Sequence, residues 1–308
     1  MKISLLGIPL DLGAENLGVD LSPFALRELG MVNKLKNAGL NVFDVGDIKV
    51  GVKKNLRIGN KKIKYADEIV RVSELSAKKV EEIIRSKNKA LAIGGDHSIS
   101  LGTISGASVA LDGNLGVIYL DTHADINTKE STLSGNIHGM HVSAVLGMGS
   151  KKFIDIYKKG AKVKKENIIL AGGKDFDEFE KDLIKEQKIK SFEIIDLLSG
   201  GMGQLFELIK DLNSKVKNIW VSLDLDVIDY VYAPGVGIPN TGGLTYREIS
   251  TIAKFIGENC NVVGMDLVEY NNFKDENYKT AELAIELSAK ILGGDYSPYT
   301  KYMEKNRI

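Results

Sequence analysis

Apolar residues in this chain come in short consecutive runs, at 3–8, 41–45, 90–93, 115–120, 167–171, 191–195, 218–223 and 261–267. A strand wetted on one face alternates apolar with polar residues, whereas a strand covered on both faces is apolar throughout. Between the runs, apolar positions recur at the helical period. Ile69, Val72, Leu75, Ser76, Val80, Ile83 and Ile84 form one stripe, Leu205, Leu208, Ile209 and Leu212 a second, and Ile249, Ile252, Ala253 and Ile256 a third. Eight strands alternating with helices predict an α/β fold around a mostly parallel sheet. No Pro- or Ser-rich linker and no shift of composition divides the chain, so one domain is expected over 1–308. The pattern leaves an open sheet and a closed barrel both available. Either architecture gathers its site at the carboxyl ends of strands.

Those ends carry the candidate chemistry. Gly94-Gly95-Asp96-His97-Ser98 follows the third run, Asp121-Thr122-His123-Ala124-Asp125 the fourth and Asp224-Leu225-Asp226 the seventh, while Asp266 and Glu269 close the eighth. His97, Asp121, His123, Asp125, Asp224 and Asp226 offer two imidazoles and four carboxylates. With no thiolate among them, a structural zinc site is disfavoured. A carboxylate-rich set with few imidazoles suits Mn²⁺, with Fe²⁺, Co²⁺, Ni²⁺ or Zn²⁺ also admissible. Six donors exceed what one ion with an open position uses, and suit two ions sharing carboxylates. Two ions about 3.5–4 Å apart hold a hydroxide between them and lower the pKa of the parent water. A lone Asp-x-Asp is an ordinary turn or helix cap. The joint pattern carries more weight, because all four histidines (His97, His123, His138 and His141) fall in two stretches that also bear glycine and carboxylates.

Composition narrows the partners. Lys and Arg total 41, as do Asp and Glu, so the formal charge is zero. That balance gives no electrostatic reason to expect nucleic acid or an anionic membrane surface. Cys260 is the single cysteine, which excludes a disulfide framework. No apolar stretch reaches the roughly 20 residues of a membrane span, and the run at 3–8 is too short for a signal-peptide core. Cytoplasmic residence is the expectation.

Several of these segments, in order, resemble the ureohydrolase family, and within it the arginase-like members. Gly7-Ile8-Pro9-Leu10-Asp11-Leu12-Gly13 with Gly18-Val19-Asp20, the His97 motif, Asp121 to Asn127, Ser222 to Asp226, and Gly242-Gly243-Leu244-Thr245-Tyr246-Arg247-Glu248 carry the likeness along nearly the whole chain. The resemblance implies a three-layer α/β/α fold with a central eight-stranded, mostly parallel sheet, which decides for the open sheet. It implies two Mn²⁺ per chain, with His97 and Asp125 on one ion, His123 and Asp226 on the other, and Asp121 and Asp224 bridging. It also implies a homo-oligomer, a trimer or hexamer.

The same resemblance gives roles around a small guanidino substrate. Asn127, Ser134 and Asn136 match residues that hold an amino acid's α-carboxylate; as neutral donors they do so without competing for the metal. Asp177 and Glu180 match readers of the α-ammonium, although carboxylates at a helix start are favourable in any case. Glu269 matches the partner of the guanidinium, and His138 is the candidate proton shuttle. Asp125 is expected to act both as ligand and as acceptor from the attacking hydroxide. The expected reaction is hydrolysis of L-arginine to L-ornithine and urea. Two competing readings are hydrolysis of another guanidino or formimino compound (agmatine, guanidinobutyrate, formiminoglutamate) and a catalytically silent, metal-stabilised scaffold. The chain departs from the family pattern at Leu17, Thr122, Lys174, Val227 to Tyr230, Ile238 and Asn271-Asn272. It also departs at His141, which replaces a usual proline and is expected to be a substitution at a loop position rather than a second proton shuttle, its loss milder than that of His138.

Overall fold

The structure is a computed structural model and describes residues 1–296. Its strands are β1 (Lys2–Ile8), β2 (Asn41–Asp47), β3 (Lys89–Gly94), β4 (Gly116–Leu120), β5 (Ile168–Gly173), β6 (Lys190–Glu193), β7 (Ile219–Asp224) and β8 (Val262–Val268). They form one open sheet in the order β2-β1-β3-β8-β7-β4-β5-β6. All pairings between these strands are parallel.

The consecutive apolar runs divide residue by residue between two cores. Leu5, Leu91, Ile93, Ile118, Leu120, Val221, Leu223 and Leu267 face one side, with residues of the helices Met202–Lys215, Tyr246–Asn259 and Lys279–Ile291. Leu6, Ile8, Ala90, Ala92, Val117, Tyr119 and Trp220 face the other, with the helices Ala66–Arg85 and Ser100–Ala110. Strand side chains alternate faces, so a run buried throughout needs a helical layer on each side. Each buried Leu or Ile contributes roughly 1.5–3 kcal/mol of transfer free energy.

Three details depart from the sequence pattern. Leu75 is exposed, and Ser73 and Ala77 are buried in its place. The cause is close packing of two helices: a Cβ added at Gly102 would lie 2.5 Å from the Ser73 carbonyl oxygen, and one at Gly106 would lie 2.2 Å from that of Ala77. Only small residues fit along that seam. The run at 191–195 ends early, because Ile194 and Ile195 begin the helix Ile194–Gly200. Asp196 accepts from the Glu193 backbone N–H at 2.8 Å and starts that helix with a capping box. Strand β2 buries only Val42, since it lies at the sheet edge. Arg27 pairs there with Asp44 and Asp47, and charge on an edge discourages further strand pairing.

Candidate active site

The four strands that end in candidate ligands or Glu269 are adjacent at the centre of the sheet, β3-β8-β7-β4. After β3 the chain passes so close to Leu10 that a Cβ on Gly95 would lie 1.8 Å from its carbonyl oxygen. Asp96 then accepts from the backbone N–H groups of Gly13 (2.7 Å) and Ser98 (2.9 Å), which fixes the turn and drives the His97 ring inward.

His97 is fully buried. Its Nδ1 lies 2.9 Å from Asp121 Oδ2, 3.1 Å from Asp224 Oδ2 and 3.5 Å from Asp125 Oδ2. Its Nε2 lies 2.9 Å from Ser222 Oγ, and Ser222 is 3.3 Å from Asp266 Oδ2. That carboxylate also accepts from Ser100 Oγ and Trp220 Nε1. A ring anchored through one nitrogen, with the other facing carboxylates, is the usual presentation of a metal-binding histidine. His123 Nδ1 lies 3.1 Å from Asp226 Oδ2 and 3.4 Å from Asp121 Oδ1. Asp121 thus turns one oxygen to each imidazole, as a bridge does. Asp224 turns one oxygen toward His97, while its other accepts the Asp226 N–H at 2.9 Å.

The charges of this cluster call for a cation. Burial, then repulsion from Asp121, pushes the Asp125 carboxyl up to about 7 and that of Asp226 up to about 6. Burial, then Asp226 and Asp121, also raises Asp224. Burial opposes charge on His97, but hydrogen bonds to Asp121 and Asp224 prevail and raise its pKa. The donor set fits two ions: ligand atoms of His97, Asp121 and Asp224 lie within 4.8 Å of one another, as do those of Asp121, His123 and Asp226. Asp125 and Glu269 have φ of 49° and 63°, left-handed values that are uncommon for residues with a Cβ and that recur at functional sites.

Two residues here were not among the expected site residues. Tyr119 Oη lies 2.6 Å from both Asp121 Oδ2 and Asp125 Oδ2, and 3.2 Å from His97 Nδ1. His141 corrects the expectation of a loop substitution. It is the first residue of the helix His141–Val145, has no exposed surface, and its ring centroid lies 4.3 Å from that of His97. Burial, then the neighbouring His97 charge, lowers its pKa well below the ordinary value.

Above the cluster lies a cavity of about 220 Å³, whose wall includes His123, Asp125, Asn127, His138, Asp175, Asp177, Glu180, Ile238 and Glu269. Glu269 Oε1 accepts from the His97 N–H at 3.1 Å and lies 3.3 Å from His138 Nδ1. Burial disfavours charge on His138, but the Glu269 hydrogen bond and charge outweigh it and push the pKa up to about 9. Asp177 and Glu180 form the capping box of the helix Glu178–Gln187 and also face the cavity, so helix start and pocket wall use the same residues. Asn127 Nδ2 donates to Asp177 Oδ2 at 2.7 Å. Ser134 and Asn136 are not part of this wall. Asn136 Oδ1 accepts from Lys64 Nζ at 3.2 Å, its backbone N–H donates to Ser134 Oγ at 3.2 Å, and Lys64 also pairs with Glu15. The changed positions have local partners. Thr122 Oγ1 accepts from Asn240 Nδ2, and Lys174 Nζ donates to Asn240 Oδ1, both at 2.7 Å, while Leu17 is exposed.

Comparison with known proteins agrees with this geometry. The model of the Arginase family matches residues 1–293. The chain is 38% identical to an arginase of Brevibacillus brevis over 293 residues, covering 95% of this chain and 98% of that one. It is 36% identical to the arginase of Bacillus subtilis strain 168 over 291 residues, covering 94% and 97%. The solved structure of the Bacillus caldovelox arginase superposes with a TM-score of 0.92 at 36% identity, covering 96% of this chain and 99% of that one. A formimidoylglutamase of Bacillus subtilis shares the fold, with a TM-score of 0.76 at 22% identity, covering 97% and 88%. By family model, sequence and fold alike, the chain belongs to the arginase family.

Proposed function

We propose that this chain hydrolyses the guanidino group of L-arginine, giving L-ornithine and urea. The observation that carries the reading is a cluster of imidazoles and carboxylates at the floor of a cavity whose wall adds Asp177, Glu180 and Glu269. Carboxylates on the wall select a cationic small molecule, and the cluster supplies a place for metal. His97 and Asp125 would hold one ion, His123 and Asp226 the other, with Asp121 and Asp224 shared. Manganese suits this oxygen-rich set.

Bound as a pair, divalent ions supply a water acidic enough to attack at neutral pH. The residues do the rest. Glu269 pairs with the planar guanidinium and holds its carbon over the cluster, which lowers the entropic cost of attack. Asp125 accepts a hydrogen bond from the attacking oxygen and so orients its lone pair. The collapsing tetrahedral centre must expel an amine, which leaves only when protonated. His138, which pairs with Glu269 at 3.3 Å, gives that proton. Asp177 and Glu180 read the α-ammonium, and Asn127, on the cavity wall, reads the α-carboxylate. Self-association as a trimer or hexamer belongs to the same reading, with light scattering as its measurement.

Urea release by manganese-loaded protein from arginine, agmatine and guanidinobutyrate, with formamide release from formiminoglutamate, tests this. Arginine is expected to lead by a wide margin. Equal turnover of agmatine would refute the carboxylate-reading assignment. The position of Ser134 and Asn136 off the cavity wall is the one observation on the side of a substrate lacking that carboxylate. No turnover of any of the four would favour the silent scaffold.

A further inference from the structure

The Asp125 carboxylate has one hydrogen-bond donor among the described residues: Tyr119 Oη, 2.6 Å from Oδ2. His97 Nδ1 and His141 Nδ1 stand farther from that oxygen, at 3.5 and 3.7 Å. Asp121 Oδ2 is also 2.6 Å from Tyr119 Oη, but the other oxygen of Asp121 accepts the His123 backbone N–H at 2.7 Å. Asp121 is therefore fixed without the tyrosine, and Asp125 is not. A phenol carries one hydrogen and serves one acceptor at a time, so the carboxylate with no other donor has the greater claim on it. The two residues also differ in rigidity. Tyr119 is buried within strand β4, with its ring stacked on His97 at a centroid separation of 4.9 Å and an interplanar angle of 12°. Asp125 lies on the loop after that strand. Side chains on strands are placed more closely than those on loops, and a loop residue tied to a strand takes its orientation from it.

We infer that Tyr119 is a positioning residue for the proposed reaction: its hydroxyl holds Asp125 by Oδ2 and so fixes the carboxylate that is to bind metal and to accept from the attacking oxygen. The inference rests on the metal site and the role of Asp125 proposed above. The two parts of the tyrosine have separate tasks. Its ring packs against His97 as core, and its hydroxyl acts on Asp125. Loss of the oxygen alone therefore weakens the ion that Asp125 serves and slows the reaction. It leaves recognition of the amino-acid end, assigned to Asp177 and Glu180, as it was.

Tyr119→Phe keeps the ring on His97 and deletes the oxygen. Metal-free wild type and variant are titrated with chelator-buffered Mn²⁺, with free Mn²⁺ read by electron paramagnetic resonance. One of the two binding steps is expected to weaken about tenfold, the low end for loss of a group that orients a metal ligand, while the other stays in place. An unchanged isotherm would overturn the inference. Equal weakening of both steps would also overturn it, because the hydroxyl would then serve the shared carboxylate of Asp121. At saturating Mn²⁺, kcat for urea release should fall about tenfold with KM for arginine unchanged. A raised KM with unchanged kcat would mean that the hydroxyl shapes the pocket rather than Asp125, and would overturn the inference as well. Wild-type protein that binds no metal would overturn both this inference and the metal site, whereas metal-binding wild type beside an indifferent variant overturns this inference alone. A crystal structure of manganese-loaded wild-type protein decides the matter even if the variant fails to fold. Tyr119 Oη within about 3 Å of Asp125 Oδ2, a hydrogen-bond distance, supports the inference, and a hydroxyl turned away from Asp125 overturns it.

Discussion

Replacing Ser222 with alanine isolates what the hydrogen-bond chain behind His97 contributes. Ser222 is fully buried, and its Oγ lies 2.9 Å from His97 Nε2, 3.3 Å from Asp266 Oδ2 and 3.3 Å from Ser100 Oγ. Asp266 keeps two other donors, Trp220 Nε1 and Ser100 Oγ, so the lasting loss falls on His97. With Nδ1 committed to metal, Nε2–H is left buried and unpaired, at a cost of about 1–3 kcal/mol. Loss of such a supporting partner commonly weakens metal binding about 10–100-fold, or roughly 1.4–2.7 kcal/mol. The lower end applies here, because the metal-free ring loses the same Nε2 partner, so part of the cost falls on both states and cancels. His123 makes no contact with Ser222, so only one of two sites should weaken. Titrating metal-free protein with chelator-buffered Mn²⁺, with free Mn²⁺ read by electron paramagnetic resonance, gives a two-step isotherm. Ser222→Ala should move one step about tenfold and the other less than about twofold, and Ser222→Thr should restore the first. An unchanged isotherm, or equal shifts of both steps, would refute the proposed support of His97.

Asp121→Asn should empty both metal positions, since its two oxygens face His97 and His123, whereas Asp226→Asn should spare the ion at His97; metal content after gel filtration distinguishes them. His138→Asn should retain both ions and slow urea release about 10²–10⁴-fold, the usual contribution of a proton-transfer group; a metal-depleted variant would mean that His138 is a ligand. In metal-free protein the His138 ring should titrate near pH 9 by NMR, and Glu269→Gln should move it down. The sign for stability follows: a base raised in the folded state contributes stability in full below its unfolded pKa near 6.5, and loses it as pH rises through about 9. Asn127→Ala should cut kcat/KM for arginine while leaving agmatine turnover nearly unchanged, because a site built to bond a group forfeits up to about 10⁴-fold when the pairing is lost; equal losses on both substrates would show that Asn127 acts on the fold or the metal instead.

The ligand motifs were readable because their chemistry fixes residue types at short spacing directly after an apolar run. Asp121 and His123 would stand two apart after a strand whatever the rest of the chain did. Tyr119 was not readable for the same local reason: an aromatic residue inside a strand run reads as core, and Tyr119 does belong to the core that contains Trp220 and Ile104. What the run does not show is that the loop after β4 folds back, so that Asp125, six residues on, lies beside the hydroxyl. His141 was misjudged because a histidine in place of proline looks like a loop change unless one knows that the turn folds inward against His97. Leu75 fits the helical period and is exposed nonetheless, because the Gly102 and Gly106 seam decides which face of that helix is covered. The readable features are residue types at short spacing, and the missed ones depend on how a loop, a turn or a helix face packs in three dimensions.

Sheet order also sets the direction of the pocket, which no motif encodes. The ligand-bearing strand ends and Glu269 belong to β3, β8, β7 and β4, while Asp175, Asp177 and Glu180 follow β5, the next strand outward. Neighbouring strands lie about 4.8 Å apart, so β8 and β5 are separated by roughly 14 Å. A linear substrate with its guanidinium against Glu269, at the end of β8, would extend over β7 and β4 and bring its amino-acid end to β5. Asn127, on the loop after β4, would lie beside that end, and its hydrogen bond to Asp177 already joins the two groups that would read it. Reaction and recognition then occupy adjacent strands of one rigid sheet. The changed positions Lys174 and Ile238 lie on the recognition side and at the mouth. Substituting them should therefore alter KM for arginine far more than kcat, and an equal fall in both would show that these loops also govern the placement of the guanidinium.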